Sequence, residues 1–270
     1  MFLQKIRQAW SAQNSLLCVG LDTDPVRIPA SISGNDRIFR FNRHIIDATA
    51  DWACAFKPQI AYYAAVAAED QLEKTINYIR DKYPLIPVIL DAKRGDIGAT
   101  ATMYAREAFE RYQADAVTVN PYMGGDTLEP FLEYSDRGVI ILCRTSNPGS
   151  GDIQQLETAG GSVATRVAEL AANHWNSNGN IGLVVGATYP EDVANVRRIT
   201  GDMPLLIPGI GSQGGDLQAV LSAGLDQNNQ GLLINASRSI MYASNGDDFA
   251  EAAAKEAEQL SQQINAGRFD

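Results

Sequence analysis

The chain has 270 residues, of which 45% are hydrophobic and 20% are charged, as in a typical folded globular protein. The formal net charge is −10, and lysines and arginines occur singly or in pairs, which argues against the basic surface of a nucleic-acid-binding protein. The length fits two ordinary domains or one large α/β barrel.

Short apolar runs recur along the whole chain. Each run is rich in Val, Ile, Leu or Ala, a composition typical of strands in a parallel sheet that is covered on both faces. The eight runs are residues 16–19, 53–56, 87–90, 114–119, 139–142, 182–185, 205–207 and 232–234.

Stretches that predict helices lie between these runs. Apolar residues recur every three or four positions in several of them, as on the buried face of a helix. The clearest are residues 97–112, 162–176, 191–200 and 249–264. Strand and helix alternate about eight times. This predicts an α/β fold with a single TIM (β/α)8 barrel domain over residues 1–270, and an open doubly wound sheet is the alternative.

The cysteines and the first residues bear on the compartment. Cys18, Cys54 and Cys143 are dispersed and lie in or beside apolar runs, which favours buried structural thiols in a reducing compartment. Residues 1–7 lack the apolar core of a signal peptide, and no run approaches the length needed to span a bilayer. We therefore expect a cytoplasmic protein without a membrane partner.

Charged residues follow the first three apolar runs. The loops after the strands of a barrel meet at one face, so these residues are expected to converge there. Asp91 and Lys93 project to the same side of a strand end, Asp96 follows at a helix start, and Lys57 and Asp22 follow the two preceding strands. Carboxylates beside an ammonium keep a lysine protonated, which suits a proton donor. The alternative is a solvated cluster of ion pairs that caps a helix.

Two further segments predict a phosphate site. A glycine-rich loop that includes Gly209 and Gln213 follows the seventh run, and Ser237 and Arg238 follow the eighth at the start of a helix. The loops after strands 7 and 8 are the usual phosphate site of such barrels, and glycines let backbone N–H groups approach the anion. Arg238 would add a permanently charged, bidentate partner. Ordinary turn chemistry is the alternative.

Taken together, these motifs resemble the orotidine 5′-phosphate decarboxylase family. The resemblance rests on Asp22, Lys57, the segment Asp91-x-Lys93-x-x-Asp96-Ile97, the loop from Pro208 to Gly214, and Arg238-Ser239-Ile240, in that order. It is closest to the longer bacterial branch, to which Asn120 and the Gly- and Ser-rich segment 145–161 are similar; residues 147–161 are expected to form a long active-site loop. Shorter members often have a histidine at the position of Asn120, which leaves the contact made there open.

The resemblance implies a function and an assembly. The family converts orotidine 5′-phosphate to uridine 5′-phosphate and CO₂ in de novo pyrimidine biosynthesis, without a metal or an organic cofactor. It implies a homodimer in which Lys57, Asp91 and Lys93 act in one subunit. In addition, Asp96, Ile97 and Thr100 would reach into the site of the partner.

The resemblance also implies a role for each remaining site residue. Lys93 would deliver a proton to C6 of the pyrimidine. Asp22 and Lys57 would contact the ribose. Ser146 would bind the edge of the base, and Pro208 would pack beside it. Gln213 and Arg238 would bind the 5′-phosphate, and they lie in the same loops as Gly209 and Ser237.

Three other functions compete with this hypothesis. A Mg²⁺-dependent sugar-phosphate decarboxylase or synthase of the same superfamily would use an acidic residue at the end of the second strand, where Lys57 stands here. A Schiff-base aldolase needs a neutral amine, which Asp91 and Asp96 oppose. A catalytically silent nucleotide-binding protein is the alternative of another class, and it would be expected to have lost one of the charged residues. Neither His44 nor His174 is expected to bind metal or to act in catalysis.

Overall fold

The computed structural model describes residues 1–210 and 215–269. Within these residues, eight parallel strands alternate with helices and form a nearly closed barrel, which confirms the predicted (β/α)8 fold. The barrel strands are β1 (Leu17–Leu21), β2 (Ala55–Pro58), β3 (Ile89–Arg94), β4 (Ala116–Val119), β5 (Gly138–Arg144), β6 (Ile181–Val185), β7 (Leu205–Pro208) and β8 (Leu232–Ala236). Each coincides with or overlaps one of the apolar runs, because a strand with helices on its outer face is buried on both sides.

The strands follow one another around the barrel in the order β2-β1-β8-β7-β6-β5-β4-β3. Between β2 and β3, the described residues form two isolated bridges, Phe56 with Val88 and Gln59 with Asp91. The amide of Phe56 donates to the carbonyl of Pro87 at 3.0 Å, and that of Ile60 donates to the carbonyl of Asp91 at 3.2 Å. This junction closes the cylinder and brings the second and third strands side by side.

Helices surround the strands. They are α1 (Phe2–Ala12), α2 (Arg37–Thr49), α3 (Ala61–Ala64), α4 (Glu69–Lys82), α5 (Gly98–Arg106), α6 (Glu129–Leu132), α7 (Gly151–Gln154), α8 (Val163–Leu170), α9 (Pro190–Thr200), α10 (Leu217–Gly224), α11 (Arg238–Met241) and α12 (Phe249–Phe269). The four helices predicted from sequence periodicity are confirmed as α5, α8, α9 and α12. Both α5 and α8 continue into π-helical turns, Glu107–Arg111 and Ala171–Trp175.

Helix α1 closes the N-terminal end of the barrel. Its residues Phe2, Ile6 and Trp10 are buried. Gly138 begins β5 directly beneath this helix, and a Cβ atom there would come within 2.4 Å of the ring of Phe2. The glycine is therefore required by the close approach of the aromatic ring. Nearby, Lys5 forms a 2.8 Å ion pair with Asp115.

The segment after β5 has more structure than its composition indicates. It contains a 3-10 turn at Pro148–Ser150, the short helix α7, and a two-stranded hairpin that pairs Glu157–Thr158 with Gly161–Ser162. Ser162 then caps α8 by accepting a hydrogen bond from the amide of Thr165. Local side-chain hydrogen bonds of this kind stabilise turns and helix starts that hydrophobic periodicity does not reveal.

The three cysteines are buried and unpaired, in agreement with the sequence analysis. Burial raises the pKa of the Cys18 and Cys143 thiols to about 12, so that both remain protonated and unreactive. In the described part of the chain, no helix combines the length and apolar character that crossing a membrane requires.

Candidate active site

Four charged side chains meet at the C-terminal end of β1, β2 and β3. The ammonium of Lys57 lies 3.0 Å from Oδ2 of Asp91 and 3.7 Å from Oδ1 of Asp22. Lys93 Nζ lies 2.7 Å from Oδ1 of Asp91. The structure thus brings Asp22, Lys57, Asp91 and Lys93 together, as their positions after successive strands predict. Asp91 stands between two ammonium groups, each bound to a different oxygen atom of its carboxylate.

Burial makes these charges depend on one another. The side chain of Lys57 is 4% exposed and that of Asp91 is 10% exposed, whereas Lys93 is 44% exposed. Burial alone would lower the pKa of Lys57, but the charges of Asp91 and Asp22 outweigh it and raise the pKa above its usual value. Burial alone would raise the pKa of Asp91, yet Lys57 and Lys93 hold it well below its usual range. Lys57 and Asp91 are therefore both ionised at neutral pH.

A residue that the sequence analysis did not single out joins this group. The hydroxyl of Thr118 on β4 donates a hydrogen bond to Oδ1 of Asp91 at 2.8 Å. It also accepts hydrogen bonds from two backbone amides of β3. The sequence carries one signal of it, a polar residue inside the otherwise apolar strand Ala116–Val119. Its role depends on a neighbouring strand, which sequence spacing does not reveal.

Two cavities open on either side of the charged group. Lys57, Asp91, Lys93 and Pro208 line both of them. The first, of about 230 Å³, extends towards Asp22 and the ends of β7 and β8 and is lined by Gly209, Asn235, Ser237 and Arg238. The second, of about 350 Å³, extends over β5 and β6 and is lined by Leu142, Thr145, Ser146, Val184 and Leu206. A ligand that fills both would pass directly over the two lysines.

The first cavity contains the described part of the predicted phosphate site. Ser237 directly precedes α11, whose first residue is the exposed Arg238. Gly209 has a φ of +103°, a conformation that favours glycine. Gly20 lets the end of β1 approach β8, since a Cβ atom there would lie 2.7 Å from that of Ser237. Gln213, the remaining predicted phosphate ligand, lies outside the described residues.

Ser146 in the second cavity is positioned by contacts on both sides. A Cβ atom at Gly186 would lie 2.7 Å from the backbone nitrogen of Ser146, so the glycine lets the loop cross the end of β6. The side-chain oxygen of Gln154 accepts a hydrogen bond from the amide of Thr145 at 2.8 Å. Arg144, also missed by the sequence analysis, is buried and forms a 2.7 Å ion pair with Asp192 of α9.

The comparisons with known proteins decide the family. The model of the "Orotidine 5′-phosphate decarboxylase / HUMPS family" matches residues 15–255. The chain belongs to this family.

Relatives and solved structures agree with this assignment. The chain is 60% identical to the orotidine 5′-phosphate decarboxylases of Ralstonia pickettii (strain 12J), over 268 residues, and Bordetella avium (strain 197N), over 270 residues, with 99% of both chains covered in each case. The structure of Leishmania donovani OMP decarboxylase shares 39% identity and a TM-score of 0.87, covering 100% of this chain and 99% of that one. That of Leishmania donovani UMP synthase shares 39% identity and a TM-score of 0.86, covering 99% of this chain and 56% of that one.

In this member of the family, three of the predicted site residues lie away from the two cavities. Asp96 accepts a hydrogen bond from the amide of Ile97 at 2.8 Å, and neither residue lines either of these two cavities. Ile97 is 62% exposed, and Thr100 is exposed on the first turn of α5. Asn120 is also exposed and lies outside both cavities. These residues do not contact the charged group of their own chain.

The donor set of the charged group is relevant to a metal. Within the residues that the structure describes, no three His, Cys, Asp or Glu side chains are grouped closely enough to hold a metal ion. The carboxylates of Asp22 and Asp91 instead share the ammonium of Lys57. A divalent cation at this position would lie beside the buried ammonium of Lys57, which both carboxylates keep protonated.

Proposed function

We propose that this protein decarboxylates orotidine 5′-phosphate to uridine 5′-phosphate and CO₂ in pyrimidine biosynthesis. The observation that carries the proposal is the charged group at the C-terminal face of the barrel, in which the buried pair Lys57 and Asp91 holds the partly exposed Lys93 between two cavities. Relatives named orotidine 5′-phosphate decarboxylase match 99% of the chain at 60% identity.

The charged group suits the chemistry of this reaction. Loss of CO₂ from C6 leaves an electron pair in the plane of the pyrimidine ring, without a conjugated electron sink. Fixed charges must stabilise this carbanion as it forms. The ammonium of Lys93 is partly exposed to the cavities and is held 2.7 Å from Asp91, so it can stabilise the electron pair and then donate a proton to C6.

Asp91 keeps Lys93 in place because its own carboxylate is held. Lys57 binds one of its oxygen atoms at 3.0 Å, and Lys93 and Thr118 bind the other. The carboxylate therefore needs little reorganisation during the reaction, which is the condition under which fixed charges are most effective. We assign Lys93 as the proton donor, and Asp91 and Lys57 as the groups that hold and orient it.

The two cavities support an assignment of the binding residues. We place the ribose at Lys57, which lines both cavities, and Asp22, which lines the first, and we place the pyrimidine in the second cavity beside Ser146 and Pro208. The 5′-phosphate then lies in the first cavity, near the backbone of Gly209 and the residues Ser237 and Arg238, with Gln213 as a further ligand. Binding energy from this remote phosphate can be used to order the site around the reacting carbon.

We further infer a homodimer with shared active sites. Large exposed apolar side chains occur at the start of α5 and within it, at Ile97 and Met103, and after β4, at Tyr122 and Met123, and Tyr122 is 79% exposed. A Cβ atom at Gly95 would lie 3.6 Å from Met123 Cε, so this segment and the loop after β4 lie side by side. An exposed apolar area of this kind is typical of a protein interface. It would place Asp96, Ile97 and Thr100 next to the active site of a second copy.

Hybrid dimers test the shared site. Lys93→Ala and Asp96→Asn homodimers should each be nearly inactive. Mixing the two proteins should restore activity, because one of the two sites in a hybrid dimer would combine a wild-type Lys93 with a wild-type Asp96. The measurement is turnover before and after subunit exchange, with exchange verified by mass spectrometry of differently tagged chains. Absence of rescue in verified hybrids would contradict a contribution of Asp96 across the interface.

We also infer one domain over residues 1–270 and a cytoplasmic location. A single sheet from β1 to β8 supports the first inference. The three unpaired cysteines support a cytoplasmic location, because cysteines of proteins in oxidising compartments commonly form disulfides.

The decisive experiment is an ultraviolet assay that follows consumption of orotidine 5′-phosphate by the pure protein, with and without a chelator. We expect turnover that the chelator leaves unchanged. A strict requirement for Mg²⁺ would instead favour the sugar-phosphate decarboxylase or synthase. Binding of uridine 5′-phosphate without any turnover would favour the catalytically silent nucleotide-binding protein.

A further inference from the structure

Thr118 makes more contacts with the charged group than its place in an apolar strand suggests. Its side chain is buried, and its neighbours on β4 are Val117 and Val119. Besides donating to Asp91, the hydroxyl accepts hydrogen bonds from the amide of Ala92 at 3.0 Å and from the amide of Lys93 at 2.9 Å. A threonine hydroxyl offers one donor and two acceptor positions, so all three are used.

The backbone that Thr118 binds is bent. Lys93 has a φ of +47°, in the left-handed region that residues other than glycine rarely adopt. The pairing of β3 with β4 shifts register between Leu90 and Arg94, around the same residues. At this bend, the amides of Ala92 and Lys93 donate to a side chain of β4. A conformation of this kind persists where surrounding contacts hold it in place.

We propose that Thr118 is a positioning residue for the decarboxylation. Its hydroxyl holds both the carboxylate of Asp91 and the bent backbone of Lys93, and so fixes the two ends of the Asp91–Lys93 contact. The ammonium of Lys93 is thereby held at one place over the cavities. Thr118 does not line either cavity and acts through these two residues. The role rests on the proposed function.

Removal of the hydroxyl should loosen this arrangement. Oδ1 of Asp91 would keep its hydrogen bond from Lys93 but lose the one from the Thr118 hydroxyl. The amides of Ala92 and Lys93 would lose their buried acceptor. Lys93 would then sample more positions relative to C6. Misplacement of a reacting group by about 1 Å can cost about 100-fold in rate, so we expect a loss of about 10- to 100-fold. The loss should appear in kcat, because nucleotide binding depends on other residues.

The test compares variants that differ in the hydroxyl alone. Thr118→Ser keeps it, and Thr118→Ala and Thr118→Val lack it; the serine–alanine pair isolates the oxygen atom if valine disturbs folding. We expect Thr118→Ser to retain kcat within about 5-fold, and the other two to lose about 10- to 100-fold with KM nearly unchanged. Thr49→Val is the matched control, because it removes a buried hydroxyl that bonds the carbonyl of Ile45 in α2. It should keep the wild-type kcat.

Several outcomes would overturn the proposal. Equal kcat values for Thr118→Ser and Thr118→Ala would remove any role for the hydroxyl. A loss of thermal stability with unchanged kcat would make it merely structural, and a rise in KM alone would make it a binding group. If wild-type protein does not turn over orotidine 5′-phosphate, the proposed function fails, and the role of Thr118 fails with it. An active wild type with equivalent serine and alanine variants rejects the role of Thr118 alone.

Discussion

The two ends of the barrel differ in what they bury. The C-terminal end holds Lys57 and Asp91 almost completely buried and in direct contact, beside cavities of about 230 and 350 Å³. The N-terminal end has a larger and more open groove of about 1000 Å³ under α1, lined mainly by apolar and neutral residues, with Arg7 among them. Cavity size therefore does not indicate where the chemistry occurs. Buried, interacting charges are the better indicator, because burying them is unfavourable unless they are paired.

The two ends of the barrel are also expected to contribute differently to stability and to activity. In barrels of this kind, side chains at the N-terminal end chiefly stabilise the fold, and those at the C-terminal end act on substrates. Here Phe2 packs into the first end, whereas Lys93 projects from the second. Substitutions at the two ends should consequently affect different measurements.

The largest effect is expected for Lys93→Ala. Because the variant lacks both the proton donor and the charge that stabilises the carbanion, kcat/KM should fall at least about 10³-fold. Binding of uridine 5′-phosphate, measured by calorimetry, should persist. Lys5→Met is the matched control at the opposite end, where it breaks the ion pair with Asp115, and it should retain wild-type turnover. Substantial activity in Lys93→Ala would remove Lys93 from its proposed role.

Phe2→Ala should affect stability instead. It removes a buried ring that packs against Gly138, and such substitutions typically lower the free energy of unfolding by about 3–5 kcal/mol. Denaturant unfolding at a fixed protein concentration measures this loss, and the folded variant should keep its kcat. Leu85→Ala, at an exposed position of the same end, should change stability little. A lower kcat in folded Phe2→Ala would show that the two ends are coupled.

Arg238→Ala should weaken recognition of the phosphate. A charge-assisted hydrogen bond typically contributes about 1.5–3 kcal/mol, which corresponds to a decrease in kcat/KM of about 10- to 150-fold. Orotidine, which lacks the phosphate, provides the control substrate. Wild type and variant should use it equally poorly. An equal loss on both substrates would mean that Arg238 acts on the fold or on the base, and not on the phosphate.

The smallest effect is expected from pH. The pKa of Asp91 is lowered, so its stabilising contribution is complete above the unfolded pKa of about 3.9 and is lost as the pH falls through the folded value. The pKa of Lys57 is raised, so its contribution is lost only at strongly alkaline pH. The ¹³C resonance of the Asp91 carboxyl should therefore show no titration between pH 9 and pH 5. A midpoint within this range would contradict the buried ion pair.

Much of the fold could be predicted from the sequence because strands covered on both faces need continuous apolar runs. The exact end of β3 could not. The apolar run stops at Leu90, yet the strand continues through the bend at Lys93 to Arg94. At this bend, the amides of Ala92 and Lys93 donate to the hydroxyl of Thr118, which comes from a different strand. Tertiary contacts of this kind leave no periodic pattern in the sequence.

The candidate site was predictable to a similar degree. Strand ends converge in any barrel, so the meeting of Asp22, Lys57, Asp91 and Lys93 follows from their order along the chain. The burial of Lys57 does not follow, since a lysine at a strand end can equally extend to solvent. Asp96 lies close in sequence to Lys93 but lines neither cavity of its own chain, and spacing alone does not reveal this.

The junction between β2 and β3 has a mechanical consequence. These strands close the cylinder through isolated backbone bridges, and they are also the strands that carry Lys57 and Asp91. The ion pair between Lys57 and Asp91 therefore links β2 to β3 where the barrel closes, and it is also part of the reaction centre. Any change in the charge or position of Asp91 would therefore alter two contacts together, the one to Lys93 and the one to Lys57 across this junction.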